Sequence, residues 1–154
     1  MIIKKFSYIL IFFFLTSCGY QAIYSKKNNT SISINKIESI GDRNINRKII
    51  SLANLKERNN QNYSYDLTLS STKIIEAVAK DKTGNTSVYK TTIVVEFYLK
   101  DPNNQDEIFK EKRFSSSFSY NNINNKFDLA KYQKNIKQNL IEKIAEEITI
   151  FLSL

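Results

Sequence analysis

The sequence predicts an α+β fold: a two-layer sandwich with an about four-stranded, largely antiparallel sheet and two helices on one face. Three observations predict it. Long stretches alternate in type with a period of two, most clearly Tyr89, Thr91, Ile93, Val95, Phe97 and Leu99 against Lys90, Thr92, Val94, Glu96, Tyr98 and Lys100. Two other stretches repeat apolar residues at helical spacing. Each element has one clearly apolar face, so helices and sheet bury theirs against one another and the second sheet face stays comparatively polar.

The chain opens on Lys4 and Lys5, followed by the unbroken apolar run Tyr8 to Leu15 and the small residues Thr16 and Ser17 before Cys18. That order is the layout of a cleaved export signal over 1–17. A spanning helix needs about 20 apolar residues, and this run is much shorter. Leu15-Thr16-Ser17-Cys18 resembles the bacterial lipobox. The resemblance implies cleavage before Cys18, a diacylglyceryl group on its thiol and acylation of the new amine. Residues 18–30 then form a lipidated N-terminus and linker, and 31–154 a single domain. Lys26 and Lys27 lie in the linker, within reach of lipid phosphates, where each lysine is worth about 1 kcal/mol near an anionic surface. They equally suit a solvated linker.

Ile32, Ile34 and Ile37 mark a first strand over 31–38, which Gly41-Asp42 ends. Asp42 is placed to cap a helix over about 43–57, whose stripe is Ile45, Ile49, Leu52 and Ala53. Tyr63, Tyr65, Leu67 and Leu69 line one face of a second strand, which Ile74, Ile75, Ala77 and Val78 extend to about Lys80. Residues 81–85 form a hairpin turn with Gly84 suited to positive φ, and a third strand covers about 86–100. Asp101-Pro102 turns the chain into a fourth strand over 107–120. There Ile108, Phe114, Phe118 and Tyr120 share one parity and Ser115, Ser117 and Ser119 the other. Asn125 caps a final helix, about 126–152, with the stripe Leu129, Ile136, Leu140, Ile144, Ile148 and Phe151.

Composition removes most catalytic chemistry. There is no histidine, so His-based triads and His zinc sites are excluded. One cysteine allows no internal disulfide, and three glycines at 19, 41 and 84 allow no phosphate-binding glycine loop. The acidic residues show no metal-loop spacing. The expectation is a protein without catalytic residues, metal or cofactor beyond the covalent lipid at Cys18. The net charge is +8; Lys4 and Lys5 leave with the signal, and the +6 that remains favours anionic partners. Nucleic acid is not expected of a protein held outside the cytoplasm.

The order of elements and several short signatures resemble the LptE family of lipopolysaccharide-assembly lipoproteins, in its alphaproteobacterial branch. The signatures are Cys18-Gly19-Tyr20 followed by Tyr24, Asp42-Arg43 at the helix start, Tyr65-Asp66-Leu67, Tyr98-Leu99-Lys100-Asp101, Phe118-Ser119-Tyr120, and the helix opening Phe127 to Tyr132. The proline such proteins carry near Ala22 is absent. The resemblance implies a lipoprotein held on the periplasmic side of the outer membrane. It further implies a partner and plug of an LptD-type β-barrel translocon that binds lipopolysaccharide and assists its assembly at the cell surface.

Two surface expectations follow. A barrel interior is polar, so the small hydroxyl face Ser115, Ser117 and Ser119 suits contact with it. Lys110, Lys112 and Arg113 form a basic cluster suited to glycolipid phosphates, and more readily to a solvated strand edge where lysine discourages aggregation. The competing functional class is another outer-membrane lipoprotein, an adaptor or auxiliary subunit of a lipid-transport system.

Overall fold

The computed structural model describes residues 32–58, 64–104 and 106–154. The signal segment, Cys18, Lys26 and Lys27 lie outside the described residues. The elements are β1 (Ser33–Gly41), α1 (Arg43–Leu52), β2 (Ser64–Lys80), β3 (Thr86–Lys100), β4 (Ile108–Asn121) and α2 (Lys126–Ser153). They form the α+β arrangement that the patterning predicts, with one four-stranded sheet in the order β1-β2-β3-β4. The sheet is mixed: β1 runs parallel to β2, and β2, β3 and β4 form an antiparallel meander.

Side-chain alternation sorts the sheet into two faces. Leu67 and Leu69 of β2 stand opposite Leu99 and Phe97 of β3, and Val95 stands opposite Phe114 of β4. These residues join Ile45 and Ile49 of α1 and Ile141, Ile144 and Ile148 of α2 in one buried cluster. Burying side chains of this size contributes about 1.5–3 kcal/mol each, which offsets the entropy of ordering the elements.

Gly41 fixes where β1 stops. Its φ is +85°, and a Cβ there would lie 2.1 Å from the carbonyl oxygen of Ser71. Only glycine lets the two backbones approach so closely with positive φ. Asp42 N–H then donates to Ser71 O at 3.1 Å, and the Ser71 hydroxyl donates to Asp42 O at 3.2 Å. The carboxylate of Asp42 accepts from the N–H groups of Asn44 and Ile45 and caps α1.

The first helix is shorter than its stripe suggests. Asn54 takes φ 53°, and the N–H groups of Leu55 and Asn54 close on Ile50 O and Ser51 O at 2.9 and 3.3 Å. This is a left-handed helix stop of the Schellman type, with asparagine in the glycine position. It turns the chain back along β1, where Arg58 N–H donates to Ile34 O at 2.7 Å and Glu57 accepts from Ile37 N–H at 2.8 Å. Leu52, expected on the buried stripe, is exposed, and Asn46 is buried beside Ile45 and Ile49.

Candidate interaction surface

The face away from the helices is hydroxyl-rich. Ser115, Ser117 and Ser119 of β4 stand opposite Val94, Thr92 and Lys90 of β3, and Thr72 and Ile74 of β2 continue the rows. All three serines are exposed. The alternation of a strand with one buried face puts them there: Phe114, Ser116 and Tyr120 of the same strand are buried. No helix covers this face among the described residues.

The basic cluster of β4 is divided between the faces. Arg113 stands opposite Glu96 on the open face, beside the serine rows. Lys110 and Lys112 stand opposite Leu99 and Phe97, on the helix side. Lys112 Nζ lies 5.1 Å from the Phe114 ring centre and 5.3 Å from that of Phe151, and Lys110 Nζ lies 5.4 Å from Phe151. Phe151 in turn meets Phe97 and Phe114 edge-on at 6.0 and 5.8 Å. These contacts sit at the last turn of α2, which carries no basic residue of its own. The two lysines therefore lie over aromatic faces and bring positive charge to the negative end of the helix dipole. Strand parity separates Arg113 from Lys110 and Lys112 in the sequence itself, whereas the engagement with Phe151 depends on how α2 packs.

Two features of the opposite end went unsignalled by sequence. β2 outruns β1: pairing with β1 ends at Gly41 opposite Ser71, and residues 72–80 are all exposed. Ile74, Ile75 and Val78 are 42, 41 and 49% exposed there, and Phe118 is 48% exposed despite sharing the parity of Phe114. A polar cleft of about 580 Å³ opens between the hairpin turn and the β4–α2 loop, lined by Asp81, Asn85, Tyr89, Asn122 and Lys126 among others. In the turn, the Thr83 hydroxyl and then the N–H groups of Asn85 and Thr83 donate to Asp81 and hold its carboxyl below the ordinary value.

Among the described residues no helix is long and apolar enough to cross a membrane, and no group of three or more His, Cys, Asp or Glu could hold a metal ion.

No protein-family model matches the sequence, and no curated protein matches it significantly. Solved structures do match. Rare lipoprotein B from Shewanella oneidensis superposes with a TM-score of 0.59 at 16% identity, covering 77% of this chain and 94% of that one. A putative lipoprotein from Caulobacter crescentus gives 0.54 at 16% identity, with 82% and 90% covered. A minor lipoprotein from Acinetobacter baumannii gives 0.51 at 14% identity, with 77% and 92% covered. At such identities the likeness is one of fold. The chain has the fold of the rare lipoprotein B and minor lipoprotein structures, over nearly their whole lengths.

Proposed function

We propose that the protein is an outer-membrane lipoprotein, anchored through Cys18 on the periplasmic side. In this reading it works as the partner and plug of an LptD-type β-barrel in lipopolysaccharide assembly. The observation that carries the reading is the shared fold with rare lipoprotein B, combined with Leu15-Thr16-Ser17-Cys18 ahead of the domain. Two or more acyl chains hold a protein stably at a membrane where one does not, so a fully acylated Cys18 is a sufficient anchor.

The function is one of fit and not of bond chemistry, with no metal or cofactor required. The open face around Ser115, Ser117 and Ser119 meets the polar interior of the barrel, with Arg113 and Glu96 as charged neighbours in the same rows. Glycolipid binding by Lys110 and Lys112 would compete with their contacts to Phe114 and Phe151. In this reading Arg113, on the open face in the serine rows, meets the glycolipid phosphates, together with Lys26 and Lys27 of the linker.

A photo-crosslinking residue placed at Ser117 in the anchored protein tests it. A crosslink to a β-barrel outer-membrane protein is expected. A folded, anchored protein that gives no such product, or gives a transporter subunit instead, overturns the reading in favour of an adaptor.

A further inference from the structure

We propose that the cleft between the β2–β3 turn and the β4–α2 loop binds an uncharged saccharide. This goes beyond the barrel reading and does not depend on it.

The lining selects the class of ligand. Its charged residues are Lys126 and Asp81, one of each sign. Asp81 is committed to its own turn, where the Thr83 hydroxyl and the N–H groups of Thr83 and Asn85 donate to it. A cationic ligand therefore finds no open carboxylate. The start of α2 is committed too. Asn125 accepts from the N–H groups of Phe127 and Asp128, and Asp128 adds negative charge to that turn. A phosphate or carboxylate gains little from such a helix end. What remains is amide and hydroxyl, from Asn85, Asn122 and Asn124 with Thr86 and Ser87. A side-chain amide both donates and accepts, and so does a hydroxyl. Neighbouring hydroxyls on a sugar ring do the same, so the two sets are complementary. Tyr89 and Leu129 supply the apolar part of the lining. The faces of a sugar ring carry C–H bonds, which the negative face of an aromatic ring attracts.

The walls are set in advance. Asn122 ties the loop to the start of β3, its N–H donating to Ser87 O at 2.8 Å and its side-chain amide to Thr86 O at 2.9 Å. The Asn85 amide donates to the Thr83 hydroxyl at 2.9 Å. The Tyr89 ring stacks on Tyr120 at 5.9 Å, and the Tyr120 hydroxyl is held by Gln133 at 2.9 Å and Thr91 at 3.2 Å. Groups ordered beforehand spare a ligand the ordering cost that weakens polar contacts. The cleft volume of about 580 Å³ lies within the roughly 300–1,000 Å³ of small-molecule sites. An extended peptide suits it less, because such segments dock on strand edges or in apolar grooves and this cleft is walled by a turn and a loop. The site is separate from Arg113, which stands opposite Glu96 on the other face of the sheet.

The test uses the full-length chain in a detergent without a sugar headgroup. Maltotriose, the trimer of N-acetylglucosamine and inorganic phosphate are titrated in turn, and backbone and side-chain amides are followed by NMR. At least one trisaccharide is expected to shift the side-chain amides of Asn85, Asn122 and Asn124 in a saturable way, with residues 93–99 unmoved. Phosphate should leave them in place. The binding midpoint should be the same at low salt and at about 0.5 M, since screening acts on charges. N124A should weaken binding about threefold or more, and S87W should abolish it by filling the cleft, with residues 93–99 reporting an intact core. If S87W does not fold, N124A decides alone. The sugar that binds is then offered on an alkyl chain in micelles. Tighter binding there assigns a glycolipid headgroup and equal binding a free saccharide, and either supports the site. No shift with either trisaccharide, equal shifts with phosphate, loss of binding in salt, or unchanged binding in the folded variants would each overturn the proposal.

Discussion

Lys137 Nζ stands 3.2 Å from Asp42 Oδ2, joining residues 95 positions apart in the chain. The pair ties the cap of α1 to the middle of α2. Burial raises the Asp42 carboxyl, but the N–H of Ile45, the ammonium of Lys137 and the N–H of Asn44 outweigh it and hold the group below its ordinary value. A carboxyl lowered on folding adds stability that is complete above the unfolded value, about 3.9, and is lost as pH falls through the lower folded value. The variant D42N keeps a capping side chain and removes the charge. We expect it to lose less than about 1 kcal/mol at pH 7, because both side chains are partly exposed. The difference from the natural chain should shrink to nothing well below pH 4. Urea unfolding at both pH values checks this, and an undiminished difference in acid contradicts it.

Gly41 should be intolerant of any side chain. Its φ of +85° costs alanine about 1–2 kcal/mol, and the new Cβ would meet the Ser71 carbonyl. G41A is expected to destabilise by at least about 2 kcal/mol in denaturant unfolding. Alanine at Gly84, where φ is +87° with open space around it, should cost only the backbone part, about 1–2 kcal/mol.

The lysines of β4 offer a sharper choice. Engagement over Phe114 and Phe151 predicts that K112A lowers stability by about 0.5–1 kcal/mol, where a solvated surface lysine would stay within about 0.5 kcal/mol of neutral. F151A should cost about 3 kcal/mol, since it removes ring contacts to both Phe97 and Phe114. Once Phe151 is alanine, K112A should cost less. A double-mutant cycle on the melting midpoint reads that coupling.

The open face makes the opposite prediction. S117R should leave stability within about 0.5 kcal/mol, because the serine is exposed and no core residue shares its row. If that face meets a barrel wall, the same variant should reduce recovery of the barrel with the anchored protein several-fold. Unchanged recovery would remove this face from the contact.

Much of this architecture is legible in the residues. The alternation from Tyr89 to Leu99 announces a half-buried strand because period two has no helical counterpart over that length. Asp42 and Asn125 announce helix starts through a local chemistry that the folded chain uses, each accepting from N–H groups two and three residues on. The end of α1 is less legible. Its stripe runs on to Ala53, and an asparagine does there what glycine does more often. The end of β1 at Gly41-Asp42 is legible, but its parallel pairing with β2, which sets Gly41 against Ser71, joins residues 30 apart and no local pattern encodes it. The surface follows the same division. Strand parity points Ser115, Ser117 and Ser119 to the open face, while only the seating of α2 reveals that Lys110 and Lys112 are engaged with rings.

The overhang of β2 past Gly41 has a mechanical consequence. Residues 72–77 run beside β3 residues 89–94, which β4 flanks in turn, so there the sheet is three strands wide. Past Ala79 it narrows to a two-stranded ribbon, held to the β4–α2 loop where Asn122 donates to the carbonyls of Ser87 and Thr86. Two-stranded ribbons twist more strongly than wider sheets, so the turn at Asp81 is rotated away from the plane of the body.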